Sequence, residues 1–170
     1  MEIRKGFTLL ELLMFVSLVS LILVGITQVL GATLAGSGKS QAMQQVKQNG
    51  QFAISTISRL LLQSNEVTVC AGSQLDFTIL ENGSTSTYRF ETILFSETNL
   101  FRIRKTYNGV QSWLTDERVN VTNFECNLIP PGNGQPGIIN FSFNIGKPGL
   151  SVENIIANIN FRDSVSLRNY

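Results

Sequence analysis

Histidine is absent from the 170-residue chain. That removes the commonest general base and the commonest metal ligand. Cysteine occurs only at Cys70 and Cys126, and two thiols without histidine do not make a structural zinc site. Charge is sparse as well: 13 Lys and Arg against 12 Asp and Glu leave +1, too little to bind nucleic acid by bulk attraction. The acids are scattered singly, so no paired-carboxylate site can be argued. Asp76, Glu81 and Asp116 lack the spacing of a calcium loop. The serines have no histidine partner, and no Gly-x-Ser-x-Gly occurs. Neither catalysis nor a cofactor or metal is expected. Asn-x-Ser/Thr triplets at Asn82, Asn120 and Asn140 read as chance in a chain rich in Asn and Ser.

Charge is scarcest near the N-terminus. Arg4 and Lys5 precede Gly6, and the sequence then stays apolar to about Leu34, with Glu11 the lone charged residue before Lys39. About 20 apolar residues in a helix span a bilayer core at 1.5 Å rise each, and Phe7 to Leu30 has that length. The basic pair should stay cytoplasmic, leaving the rest of the chain outside. Residues 1–6 are too short and too polar for a secretory signal peptide, which carries its own apolar region and a small-residue cleavage site. Glu11 is the odd residue. A charge within a membrane helix costs about 2.5–3.5 kcal/mol on insertion scales and marks a functional position by default. The bland alternative is a carboxylate near the helix end that reaches the headgroups.

Arg4-Lys5-Gly6-Phe7-Thr8-Leu9-Leu10-Glu11 resembles the N-terminal signature of type IV pilins and of the pseudopilins of type II secretion systems, over about 30 residues. The resemblance implies that a prepilin peptidase cuts between Gly6 and Phe7 and methylates the new N-terminus at Phe7. It also implies that Glu11 pairs with the N-terminal ammonium of a neighbouring subunit during assembly. The physics agrees with each role. Glycine, without a Cβ, is the residue most easily admitted beside a scissile bond. Two unit charges about 4 Å apart attract by about 4 kcal/mol at an effective dielectric near 20. Loss of Glu2, Arg4 and Lys5 with the leader would bring the side-chain charge to neutral. The partners implied are other pilin or pseudopilin subunits, the peptidase, an inner-membrane assembly platform and the membrane itself.

Beyond the apolar run, Gly31, Gly36 and Gly38 weaken a helix by about 1 kcal/mol each relative to alanine. They read as a flexible linker or, on the resemblance, as a softened part of one long helix. Helical spacing returns with Val46, Ala53, Ile57 and Leu60 or Leu61, while Gln44, Gln45, Lys47, Gln48 and Gln51 face away, predicting helix from about Lys39 to Ser64. Strand-like alternation then runs from Glu66, with turn signals at Glu81 to Ser84 and at Asn108-Gly109 and a Pro/Gly-rich loop from Pro130 to Gly137. Seven to nine short strands are expected and no further helix. The fold class is α+β: a long N-terminal helix packed on one face of an antiparallel β-sheet domain, as in pilins. The boundaries are 1–6 for the leader, 7–64 for the helix with its membrane segment at 7–30, and 65–170 for the extracytoplasmic β-rich domain.

An even cysteine count in an exported domain favours a Cys70–Cys126 disulfide; the alternative is two buried thiols. Leu100 to Arg104, Trp113 to Asp116, Val119 to Phe124 and the tail Val165 to Asn169 look similar to minor pilins and J-type pseudopilins, or are ordinary hairpins. Arg102, Arg104 and Lys105, near Tyr107, form a small basic cluster. It reads as a solvated strand face, or as a contact for DNA or an acidic neighbouring subunit. The function expected is a structural subunit, minor pilin or pseudopilin, of a pilus-like or type II secretion filament. The alternative is a monomeric membrane-anchored extracytoplasmic binding module.

Overall fold

A computed structural model describes residues 8–81, 83–132, 136–149 and 155–167. One helix, α1, runs over Leu9–Leu61. The chain divides into two units, Met1–Ser40 and Gln41–Tyr170. The expected leader, with Gly6 and Phe7, lies outside the described residues. In the first unit, α1 is apolar on every side, and its leucines, valines and isoleucines are all exposed. The helix continues through Gly31, Gly36 and Gly38, so no coil linker separates its two parts. It also stops three residues short of the expected Ser64, whose hydroxyl donates to the Leu61 carbonyl (2.7 Å). Arg59 in the last turn suits the negative end of the helix dipole.

In the second unit the β-structure is two antiparallel sheets rather than one. The larger has the order β1 (Glu66–Ala71), β2 (Gln74–Glu81), β3 (Ser84–Phe95), β4 (Leu100–Tyr107) and β5 (Val110–Trp113). The smaller has β6 (Asn120–Ile129), β7 (Ile138–Pro148) and β8 (Ile155–Ser166). Every consecutive pair within a sheet is a simple up-and-down hairpin. Three of the strands are longer than the short ones expected: β3 runs on through Ile93 to Phe95, β7 passes through Gly146, and β8 runs from Ile155 to Ser166. Gly and polar residues did not break them, because ladder hydrogen bonds to a long neighbouring strand outweigh local propensity.

Local chemistry explains the turns. Asn108 and Gly109 both have positive φ (46° and 84°) between the paired Tyr107 and Val110, the geometry of a type I′ hairpin turn. Another two-residue turn, Gly72-Ser73, joins the paired Ala71 and Gln74. The β3–β4 loop ends on Asn99 in the left-handed region (φ 55°).

Packing follows the alternation. Leu75, Phe77 and Ile79 of β2, Tyr88 and Phe90 of β3, and Ile103 of β4 point inward from the large sheet. Ile139, Phe141, Phe143 and Ile145 of β7 do so from the small one. Ala42, Val46, Ala53, Ile57 and Leu61 of α1 join the same buried cluster. The expected apolar stripe is therefore the face that closes the core. Three polar ties fix its register: Asn49 Oδ1 accepts from the Asp116 N–H (2.9 Å), Ser58 donates to Asp163, and Lys147 donates to Gln45. Gly50 is fully enclosed because the Phe161 ring occupies the space a Cβ would fill.

Candidate functional site

The apolar part of α1 begins at Thr8. The Thr8 carbonyl accepts from the N–H groups of Glu11 (3.1 Å) and Leu12 (3.2 Å), and its hydroxyl oxygen lies 3.4 Å from the Glu11 N–H. Thr8 is thus the N-cap and Glu11 the third helical residue, the Thr-x-x-Glu spacing of a capping box. That signal stands in the sequence and was overlooked there. The Glu11 carboxylate is exposed and makes no side-chain hydrogen bond or ion pair among the described residues.

The serine and threonine hydroxyls of the span behave differently. Ser17 and Thr27 donate to carbonyls three residues back (2.8 and 2.9 Å). Ser20 and Thr33 donate to carbonyls four back (2.6 and 2.7 Å). A hydroxyl satisfied by its own helix exposes no unpaired donor to hydrocarbon. The helix is long and apolar enough to cross a membrane, and none of its most apolar window is buried. Within that surface Glu11 is the only charged group between Thr8 and Gly38.

Cys70 and Cys126 form a disulfide, with Cα atoms 5.2 Å apart. It ties β1, the outer strand of the large sheet, to β6 of the small one. Two buried free thiols are excluded.

In the basic cluster on β4 the two arginines have partners, while Lys105 makes no side-chain hydrogen bond or ion pair among the described residues. Arg102 is only 7% exposed. Its Nε and Nη2 donate to the Thr115 carbonyl (3.2 and 2.8 Å). Its guanidinium carbon lies 5.1 Å from the Phe95 ring centroid and 4.5 Å from that of Trp113, a doubly stacked cation. Arg104 pairs with Glu91 (2.8 Å) and donates to Gln111 (3.0 Å). Both guanidiniums have partners within the fold, Arg102 buried and Arg104 partly exposed.

The Arg102 contact also explains the Leu114-Thr115-Asp116 stretch. Thr115 Oγ1 accepts from the Ile103 N–H (3.1 Å) while its carbonyl takes the guanidinium. Asp116 Oδ1 accepts from the Arg118 N–H (2.9 Å) and Nε (3.2 Å). The Arg118 N–H is the main influence holding the Asp116 carboxyl below its ordinary pKa, with the Arg118 side chain adding to it against a cost of burial.

The other acids singled out lie apart. Asp76 pairs with Arg89 (2.9 Å). Glu81 accepts from Tyr88 (3.4 Å), Tyr107 (3.3 Å) and Ser86 (3.4 Å). Burial first, then the charge of Glu81, raises the Tyr88 pKa. Of the three Asn triplets, Asn120 Oδ1 accepts from the Phe101 N–H (2.8 Å) and Asn140 Oδ1 from Ser164 (2.6 Å), so both amides serve the fold; Asn82 lies outside the described residues. A search against known protein families, curated proteins and solved structures finds no match to the chain.

Proposed function

We propose that the chain is a structural subunit, a minor pilin or pseudopilin, of a type IV pilus-like or type II secretion filament. On this reading a prepilin peptidase cuts between Gly6 and Phe7, and Phe7 becomes the methylated N-terminus. The observation that carries the proposal is the unpaired Glu11 carboxylate on a mostly apolar stretch of helix that is otherwise uncharged up to Gly38, following the Lys5-Gly6-Phe7 signature. A carboxylate there has an electrostatic reason to exist if an ammonium from an adjoining subunit meets it. An apolar surface this long calls for lipid before assembly and for other subunits after it. The disulfide adds weight to an extracytoplasmic location for the β-rich part.

One observation favours the runner-up, a monomeric membrane-anchored binding module. Glu11 occupies the third position of a Thr8-capped first turn, where a carboxylate is favourable against the helix dipole without any partner. Intact-mass measurement on membrane-extracted protein separates the two. A mass lacking residues 1–6 and carrying one added methyl supports the filament subunit. A full-length, unmethylated mass overturns it in favour of the anchor.

A further inference from the structure

The β-rich unit has two ends, and three contacts show which one adjoins the start of its helical part. Gln45 accepts from Lys147, which pairs with Ala157. Gly50 lies against Phe161, and Ser58 donates to Asp163. Gln45 to Ser58 along a helix and Ala157 to Asp163 along a strand each cover about 20 Å. Helix and β8 therefore run side by side in one direction. The Gln45 end also holds the end of β7 and the start of β6, where Gly146 pairs with Asn120. Asn120 Oδ1 accepts from the Phe101 N–H (2.8 Å), and Phe101 pairs with Leu94, so β4 begins and β3 ends there as well.

Met43, Leu94, Phe101 and Ile156 stand open at this end, between 39% and 46% exposed. Phe101 alternates with the fully buried Ile103, so it and its partner Leu94 face the core side and are left uncovered where the core stops. Exposure alone does not single this end out, because Leu62, Leu80, Ile129 and Ile138 are open at the other. The chain does so. Gln41 follows Leu34, the last residue of the apolar run, by seven positions. Such a stretch reaches about 10 Å as helix and at most about 25 Å fully extended. A bilayer around the apolar run therefore lies within that reach of Gln41. The other end, at Leu61, is about 30 Å farther along the helix.

We infer that this end of the β-rich unit rests on the bilayer surface, with Leu94, Phe101, Ile156 and Met43 reaching into the boundary between headgroups and acyl chains. Large apolar side chains gain by leaving water for that boundary. Lys47 and Lys147 lie at the same end, and their charge suits lipid phosphate; Glu97 in the β3–β4 loop opposes them. The contact is mainly apolar, so it holds on zwitterionic lipid and in high salt. A unit held this way presents its Leu62, Leu80 and Ile129 end away from the lipid. The inference rests on reading α1 as a membrane span, and it does not require a filament.

The test places the full chain, one copy per disc, in phosphatidylcholine nanodiscs containing a lipid with a nitroxide on its acyl chain, and reads amide signal intensities. Signals of the apolar run should be quenched. Those of Leu94, Phe101 and Ile156 should lose most of their intensity, in low and high salt alike, while those of Leu80, Ile129 and Ile138 keep theirs. Leu94→Ser together with Phe101→Ser should restore the intensity at Ile156 and leave the apolar run quenched. The first result comes from the unsubstituted protein, so it does not rest on a variant folding. Full intensity across the β-rich unit with the apolar run quenched overturns the inference and leaves the span standing. An unquenched apolar run overturns span and inference together. Equal loss at both ends, or no recovery at Ile156 in the double variant, also overturns it. Loss at Leu94 and Phe101 only when two copies share a disc assigns the surface to a second copy and overturns it too.

Discussion

Replacing Gly50 by alanine tests how α1 is seated on the sheets. In an isolated helix the change stabilises by about 1 kcal/mol, since glycine is the poorer helix former. Here the added methyl meets the ring of Phe161, which is itself stacked on Phe143 with centroids 5.7 Å apart. The overlap is too deep for a small adjustment, so the ring must leave. Losing the aromatic stack costs about 0.5–1.5 kcal/mol, and lifting part of a phenyl group from the core costs about 1.5–3 kcal/mol. Against the helix gain, the expected net loss is about 1–3 kcal/mol. For a chain of this size that lowers Tm by roughly 2–12 °C. Thermal unfolding of the full chain in detergent, followed by circular dichroism, measures it. Gly38→Ala is the internal control, because nothing lies within 4 Å of a Cβ there, and it should not destabilise. Gly50→Ala with Phe161→Leu should recover part of the loss, since the two changes act on one contact. An unchanged or raised Tm for Gly50→Ala alone would refute the packing argument.

Four further outcomes are expected. If the chain is the filament subunit proposed above, Glu11→Ala should be inserted and processed yet be missing from sheared filaments, because an ammonium buried without its partner costs about 3–5 kcal/mol; recovery at the wild-type ratio removes the pairing role. Arg102→Lys should destabilise by roughly 2–3 kcal/mol in denaturant unfolding, since lysine keeps the charge but not the fork on Thr115 or the stacking on Phe95 and Trp113; a change within error means Arg102 does not hold the turn. The double change Cys70→Ser, Cys126→Ser should cost about 4 kcal/mol, the loop-closure value for a separation of 56 residues, and thiol labelling of unreduced, unfolded wild type should find no free thiol. The lowered pKa of Asp116 stabilises the fold above the unfolded carboxyl value near 3.9, and that contribution is lost as pH falls through the folded value. Asp116→Asn should therefore flatten the acid side of the stability profile, by a small amount because the side chain is 37% exposed; parallel profiles for variant and wild type refute the assignment.

How much could be read in advance depended on how local the signal was. The Asn108-Gly109 turn was visible because both positions need positive φ, which that dipeptide supplies at little cost. The Gly72-Ser73 turn was missed, although Gly-Ser between two strand-like runs is a two-residue hairpin signal. At the candidate site, the Thr8-x-x-Glu11 cap was legible and overlooked. The apolar end of the β-rich unit was not legible, because Met43, Leu94, Phe101 and Ile156 come from four elements and are gathered only by register and packing.

By itself the order of residues determined the apolar helix, its lone carboxylate and the α+β class. These rest on composition and periodicity, which act over a few helical turns or strand pleats. The division into two sheets was decided only in the tertiary structure. The chain leaves β5 at Trp113, turns through Thr115 and Asp116, and starts a new sheet because Arg102 and Asn49 hold that turn. The fates of the charges were decided there too. Arg102 reads as a surface cation in a strand of alternating residues, yet two rings and a carbonyl from distant positions enclose it. Gly50 looks like a weak point of a helix until Phe161, 111 residues later in the chain, is set against it. Contacts of that range depend on where whole elements pack, and no local pattern encodes them.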